Sequence, residues 1–172
     1  VTVTRPPSQV VLLPAGATWK YFDAGADLGL VWVAPGYPDG AWASGPAELG
    51  YGDGGEATVV GYIDADPVTE GVQKNATTYF RTTFSVTGSA NFIGLTGRLV
   101  RDDGAVVYLN GTEVFRSNMP STAVAYNTLA PASVAGADEN AFFPTTVSAG
   151  LIVPGRNVLA VELHQNSVSS SD

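Results

Sequence analysis

Hydrophobic and polar residues alternate most cleanly between Thr77 and Val86, where Thr78, Phe80, Thr82, Phe84 and Val86 interleave with Thr77, Tyr79, Arg81, Thr83 and Ser85. A repeat of two places one set on each side of a pleated strand, which predicts a strand with a core face and a polar face. The same period returns in residues 157–165 after Pro154-Gly155, with Leu159, Val161 and Leu163 facing one way and Ala160, Glu162 and His164 the other. Between these segments, residues 105–109 and 112–116 flank Asn110-Gly111. That dipeptide tolerates the positive φ that both positions of a type I′ turn require, so a tight hairpin is expected there. Residues 91–100, joined to the hairpin by the turn Arg101-Asp102-Asp103-Gly104, complete a predicted three-stranded meander.

The pattern is weaker elsewhere. Residues 9–13 and 18–22 read as short strands, residues 23–61 as a long ordered excursion rich in Gly, Pro, Trp and Tyr, and residues 120–143 as a loop crossing between strands. Twenty glycines and eleven prolines leave few windows long enough for three helical turns. The longer uninterrupted windows hold Thr, Tyr, Phe and Val, which crowd a helix but suit a pleated surface. An all-β chain follows, with antiparallel sheets packed face to face as a β-sandwich, a jelly roll being the most economical arrangement. With no fixed-period repeat and no linker, residues 1–172 read as a single module.

Composition narrows the function. The chain is 45% hydrophobic but only 14% charged, and it holds sixteen acidic against eight basic residues for a net charge of −8. Nucleic acid is a poor partner for such a chain, because phosphate backbones are held by concentrated positive charge. A membrane span is not expected, since no apolar stretch approaches the roughly 20 residues one needs. The absence of cysteine removes disulfides, thiolate metal sites and thiol nucleophiles. An acidic, lysine-poor, Thr- and Gly-rich composition fits a secreted, extracellular bacterial protein.

The segments Trp19-Lys20-Tyr21-Phe22-Asp23, residues 42–53, Tyr79-Phe80-Arg81, residues 101–111 and residues 157–165 together resemble a galactose-binding-like β-sandwich, of the carbohydrate-binding-module type appended to secreted bacterial hydrolases and surface proteins. The resemblance runs from Trp19 to Asp172. It implies a non-catalytic module that binds carbohydrate beside a parent catalytic or surface domain and holds a structural calcium ion. It also implies one more strand after Ser169-Ser170-Ser171-Asp172, where this sequence stops.

Sugars are gripped by flat aromatic rings against their C–H faces and by planar polar groups that bond their hydroxyls. Trp32, Tyr37 and Tyr62, set among Gly and Pro, are the candidates for stacking, whereas Trp19, Tyr21 and Trp42 read more naturally as core or edge residues. Arg81, Asp102, Asp103 and His164 are the candidates for hydrogen bonding. Were the strands carrying Arg81 and Glu162 to share a sheet, Arg81, Glu162 and His164 would converge on its outer side near the Asp102-Asp103 turn; the plainer alternative is an Arg81–Glu162 ion pair covering the sheet. Calcium requires six to eight oxygen ligands. Asp53 and Glu56 in Tyr51-Gly52-Asp53-Gly54-Gly55-Glu56 are the favoured candidates, with Asp64, Asp66, Asp102, Asp103, Asp138, Glu139 and Asp172 as further carboxylates. A catalytic triad would have to use His164, the only histidine, and neither a Gly-x-Ser-x-Gly elbow nor a phosphate-binding Gly-rich loop occurs. Sixteen acidic residues leave a glycosidase pair open without selecting one. A structural or adhesive spacer that pairs with a partner strand is the alternative to sugar binding.

Overall fold

The computed structural model describes residues 9–52, 54–62, 73–88 and 92–169. The fold is an all-β sandwich. One layer is a six-stranded antiparallel sheet in the order β2-β1-β5-β10-β7-β8, formed by β1 (Thr18–Phe22), β2 (Ala43–Pro46), β5 (Thr77–Val86), β7 (Gly104–Leu109), β8 (Thr112–Ser117) and β10 (Gly155–His164). The second layer is made of two short pairs, parallel β3 (Leu49–Gly50) with β4 (Thr58–Val59), and antiparallel β6 (Leu95–Leu99) with β9 (Phe143–Val147).

The two segments with the cleanest alternation became the two longest strands, β5 and β10, which pair along their full lengths from Gly155–Val86 to His164–Thr77. The hairpin β7–β8 turns at Asn110 and Gly111, whose φ angles of 51° and 85° are those the dipeptide was expected to supply. The meander, however, is not formed. The edge of β7 that β6 was expected to occupy is taken by β10, and β6 leaves for the other layer to pair with β9. Residues 9–13 form no strand, and the edge of the sheet is β2, which lies inside the segment read as an excursion.

Register decides which side chains share a face. Ala160 lies opposite Arg81 on one side and Tyr108 on the other, and Lys20 lies opposite Arg81 and Ser44. One face of the sheet therefore carries Lys20, Ser44, Tyr79, Arg81, Tyr108, Glu162 and His164. The opposite face carries Phe80, Ala105, Val107 and Val161, on which Val60, Leu49, Tyr51 and Leu99 from the second layer pack. That is the expected sandwich core.

The face expected to be polar and outward is also covered. Trp32 and Val33, in a 3-10 turn (Val31–Val33), bury themselves against Tyr79, Val106, Tyr108 and Ala160, with Leu28, Tyr37, Trp42, Met119, Val124 and Tyr126 around them. The first five residues of β5 are consequently buried on both faces. Alternation reported the strand and its period, but the aromatic excursion supplied a second apolar cover.

Close packing under this cover constrains Gly104 at the start of β7. A Cβ placed there would lie 2.5 Å from Met119 Sδ, 2.6 Å from the Asn118 carbonyl oxygen and 2.9 Å from Ala130 Cβ. Since a backbone oxygen cannot swing aside as a long side chain can, Gly104→Ala is expected to destabilise the fold by about 1–3 kcal/mol. Urea unfolding at constant m-value measures it.

Candidate functional site

The polar side chains of the covered face are committed to internal bonds. Arg81 is 1% exposed and uses its planar fork on three partners: Nε donates to Asp39 Oδ2 at 2.8 Å, Nη1 to the Trp32 carbonyl, and Nη2 to the Ala34 carbonyl at 3.2 Å. This accounts for the burial of a charged residue in a strand. An irregular segment laid on a sheet brings main-chain carbonyls out of water, and they need donors. Lys20 Nζ donates to the same Asp39, reaching Oδ1 at 2.6 Å and the main-chain carbonyl at 2.9 Å. Arg156 Nη1 adds a bond to the Pro35 carbonyl at 2.9 Å. Three cations from β1, β5 and β10 thus fasten one loop.

Asp39 is the pivot of this arrangement. Burial pushes its pKa up, but the hydrogen bonds and positive charges of Lys20 and Arg81 together outweigh that effect, leaving the carboxyl below its ordinary 3.8. A depressed folded-state pKa contributes stability that is complete above the unfolded value and disappears as pH falls through the folded one. The stability difference between the native chain and Asp39→Asn should therefore stay level above about pH 5 and close below about pH 4. Parallel urea titrations of the two proteins from pH 7 to pH 3 check this.

Where the fastening ends, the sheet opens into a cleft of about 300 Å³ lined by Thr18, Trp19, Lys20, Asp39, Ser44, Arg81, Thr82, Thr83 and Arg156. Its walls hold three of the chain's eight basic residues and one of its sixteen acidic ones. The Trp19 side chain is half-buried and packs on the apolar core of the other face. The Lys20 side chain is 39% exposed and Arg156 is exposed.

The residues expected to bind sugar are placed differently from one another. Trp32 is fully buried between Tyr79 and Tyr108, with ring centroids 4.8 and 5.8 Å away, and cannot stack on an external ligand. His164 is likewise fully buried: its Nδ1 lies 2.7 Å from the Thr128 carbonyl and 3.0 Å from Thr77 Oγ1, and its Nε2 lies 3.6 Å from Glu162 Oε2. Asp103 is buried and accepts the Val134 and Asn166 amides at 2.7 and 2.6 Å, tying the turn before β7 to two distant segments. The carboxylate oxygens of Asp102 are withdrawn from solvent. These four residues were expected at a ligand surface, and the structure corrects that placement, since the loops meant to surround a ligand fold down onto the sheet instead.

The Arg81–Glu162 pair is also replaced. Glu162 Oε1 accepts the Tyr108 hydroxyl at 2.7 Å, while Arg81 turns to Asp39. Burial, reinforced by that hydrogen bond, raises the Tyr108 pKa well above the usual phenol range, and burial does the same for Tyr79. Both remain neutral hydroxyls throughout the physiological range.

Arg81 does line the cleft, and Tyr37 stands beside it with its ring centre 5.5 Å from the guanidinium carbon and edge-on to Trp42. Tyr62 lies elsewhere, 40% exposed, edge-on to Tyr51 at 5.3 Å and beneath Lys74 Nζ at 5.4 Å. Asp53 lies outside the described residues, and Glu56 is half-buried. Among the described residues no group of three or more His, Cys, Asp or Glu side chains is placed to hold a metal ion. Lys20, Asp39, Ser44 and Arg156 are cleft residues that the sequence pattern did not single out as a site, because they meet Arg81 only through the registers of β1 against β2 and β5 and of β10 against β5, and through the folding of the Asp39 loop onto the sheet.

Fold and cleft together define a β-sandwich domain with a basic hollow beside the covered part of its large sheet. Its fold is similar to part of a β-glycosidase from Bacteroides vulgatus, at 14% identity and a TM-score of 0.56 over 88% of this chain. It is similar also to part of a β-glucuronidase from Bifidobacterium dentium, at 16% identity and a TM-score of 0.53 over 92% of the chain, and of a glycoside hydrolase family 2 β-glucuronidase, at 14% and 0.55 over 87%. The chain spans 17%, 21% and 13% of those three proteins, respectively. At such identities the likeness is one of fold. No family model and no curated protein sequence matches the chain.

Proposed function

We propose that this chain is a non-catalytic, galactose-binding-like module of a larger secreted carbohydrate-active enzyme, holding that enzyme near a polysaccharide. The observation that carries the reading is the shared sandwich fold, which recurs as a minor part of enzymes named as a β-glycosidase and β-glucuronidases. The cleft supports it. Its walls present hydroxyls and cations around one carboxylate, Asp39, which is already bonded through both oxygens. Glycoside hydrolysis by the usual route takes two carboxylates about 5–10 Å apart, and this lining suits holding a sugar rather than cleaving one.

A glycan array tests the reading. Retention of at least one glycan class, with no turnover of chromogenic glycosides by the purified chain, is the expected result. Turnover would overturn the non-catalytic part. Silence over the whole array would favour the spacer reading, which draws its own support from the burial of Trp32, Asp103 and His164. A structural calcium belongs to the proposal as well; it predicts a melting temperature that falls when a chelator is added, because an ion bound only by the folded state must stabilise it.

A further inference from the structure

Resting on the carbohydrate-binding reading, we infer that the cleft between β1, β2, β5 and β10 recognises the anionic group of an acidic saccharide, a carboxylate or sulfate. The argument begins with charge distribution. The chain as a whole is −8, yet the cleft gathers Lys20, Arg81 and Arg156 against Asp39 alone. A concave surface of one sign focuses its field and raises the local concentration of oppositely charged ligand. Here it does so on a molecule whose remaining surface repels anions, so a polyanion has a reason to enter this hollow and few reasons to settle elsewhere.

Donor capacity comes next. Arg81 spends three N–H groups on Asp39, Trp32 and Ala34. A guanidinium has five. Arg156 spends Nη1 on Pro35, and Lys20 directs two bonds to Asp39. Lys20 and Arg156, both open to solvent, keep donors beyond those that fasten the loop, whereas Arg81 is 1% exposed and contributes its charge from beneath the cleft floor; the fastening holds all three in place before a ligand arrives. Charge-assisted bonds of this kind are the strong ones, and guanidinium geometry matches a carboxylate or sulfate edge.

The third point concerns the rest of the ligand. Trp19, the aromatic residue among those lining the cleft, is half-buried and packs on the opposite core, which leaves little of its ring for the stacking that neutral sugars rely on. Ser44 and Thr83 supply hydroxyls able to bond a sugar's own. Recognition here therefore draws mainly on charge assisted by hydroxyl contacts, which favours an acidic saccharide over a neutral one.

Affinity electrophoresis of the full chain through gels containing polygalacturonate, dextran sulfate, neutral dextran or polyglutamate tests the inference. Polygalacturonate or dextran sulfate should retard the protein, with retardation falling as salt is raised. Arg156→Ala should weaken that binding roughly tenfold, and Arg156→Glu should abolish it, since a single charge-assisted bond carries about this much. Arg98→Ala, which lies outside the cleft, should bind as the native chain does, and melting curves of all variants should show them folded. If only neutral dextran retards the chain, or the Arg156 variants bind acidic saccharides normally, the inference fails while the carbohydrate-binding reading stands. Polyglutamate binding as tightly as polygalacturonate would overturn the saccharide assignment in favour of an acidic peptide. Silence with all four polymers, joined to a silent glycan array, would remove both readings.

Discussion

Arg81→Met is expected to destabilise the protein by about 3–5 kcal/mol, the usual effect of removing one partner from a buried ion pair. The loss has two parts. Asp39 keeps Lys20 but loses its buried partner, and the Trp32 and Ala34 carbonyls, lying against the sheet, lose their donors. An unmet buried acceptor alone costs about 1–3 kcal/mol. Arg81→Lys should recover only part of the loss, because an ammonium on a flexible stem keeps the charge but not the planar fork that reaches three acceptors at once. Urea unfolding followed by tryptophan emission reads both variants. If Arg81→Met and Arg81→Lys both unfolded within about 1 kcal/mol of the native chain, Arg81 would not be the anchor of this loop.

Trp32→Ala should be comparably damaging, at about 3–5 kcal/mol, the range for truncating a large buried aromatic. Trp32 is fully buried, packs on Tyr79 and edge-on to Tyr108, and plugs the face of the sheet that lies away from the second layer. Its removal leaves a hollow lined by Tyr79, Val106 and Ala160 that the strands, fixed by their ladders, cannot collapse to fill. Arg81 and Trp32 secure the same turn from two sides, one by its backbone and one by its ring. The double variant Arg81→Met with Trp32→Ala should therefore be less destabilised than the two single losses added together. Strict additivity would show that ring and guanidinium act on separate structures.

The same two residues show how far the chain could be read without its structure. Arg81 was placed correctly on an alternating strand and on the polar side of it, as were Glu162 and His164. What alternation does not report is the fate of that side. A face bearing Tyr79, Arg81 and Tyr108 reads as solvent-facing until another segment brings Trp32 and Val33 to cover it, and that segment has no period of its own. The candidate site shifted for the same reason. Trp32 and Tyr37 were linked to ligand binding because aromatics among glycines and prolines look exposed, yet Trp32 turned inward while Lys20 and Arg156, which were not among the binding candidates, came to line the hollow.

The order of amino acids was sufficient for the all-β class, for β5 and β10 as alternating strands, and for the Asn110-Gly111 hairpin. Each of these rests on interactions between near neighbours: the two-residue period of a pleat, the crowding of β-branched side chains, the positive φ of a tight turn. Tertiary structure alone decided that β6 leaves β7 for β9, that the polar face is roofed, and that Lys20, Arg81 and Arg156 gather beside Asp39. Those outcomes depend on contacts between residues 19 to 121 positions apart along the chain. They are settled by which surfaces can exclude water together and which buried carbonyls find a donor, and no local pattern carries that information.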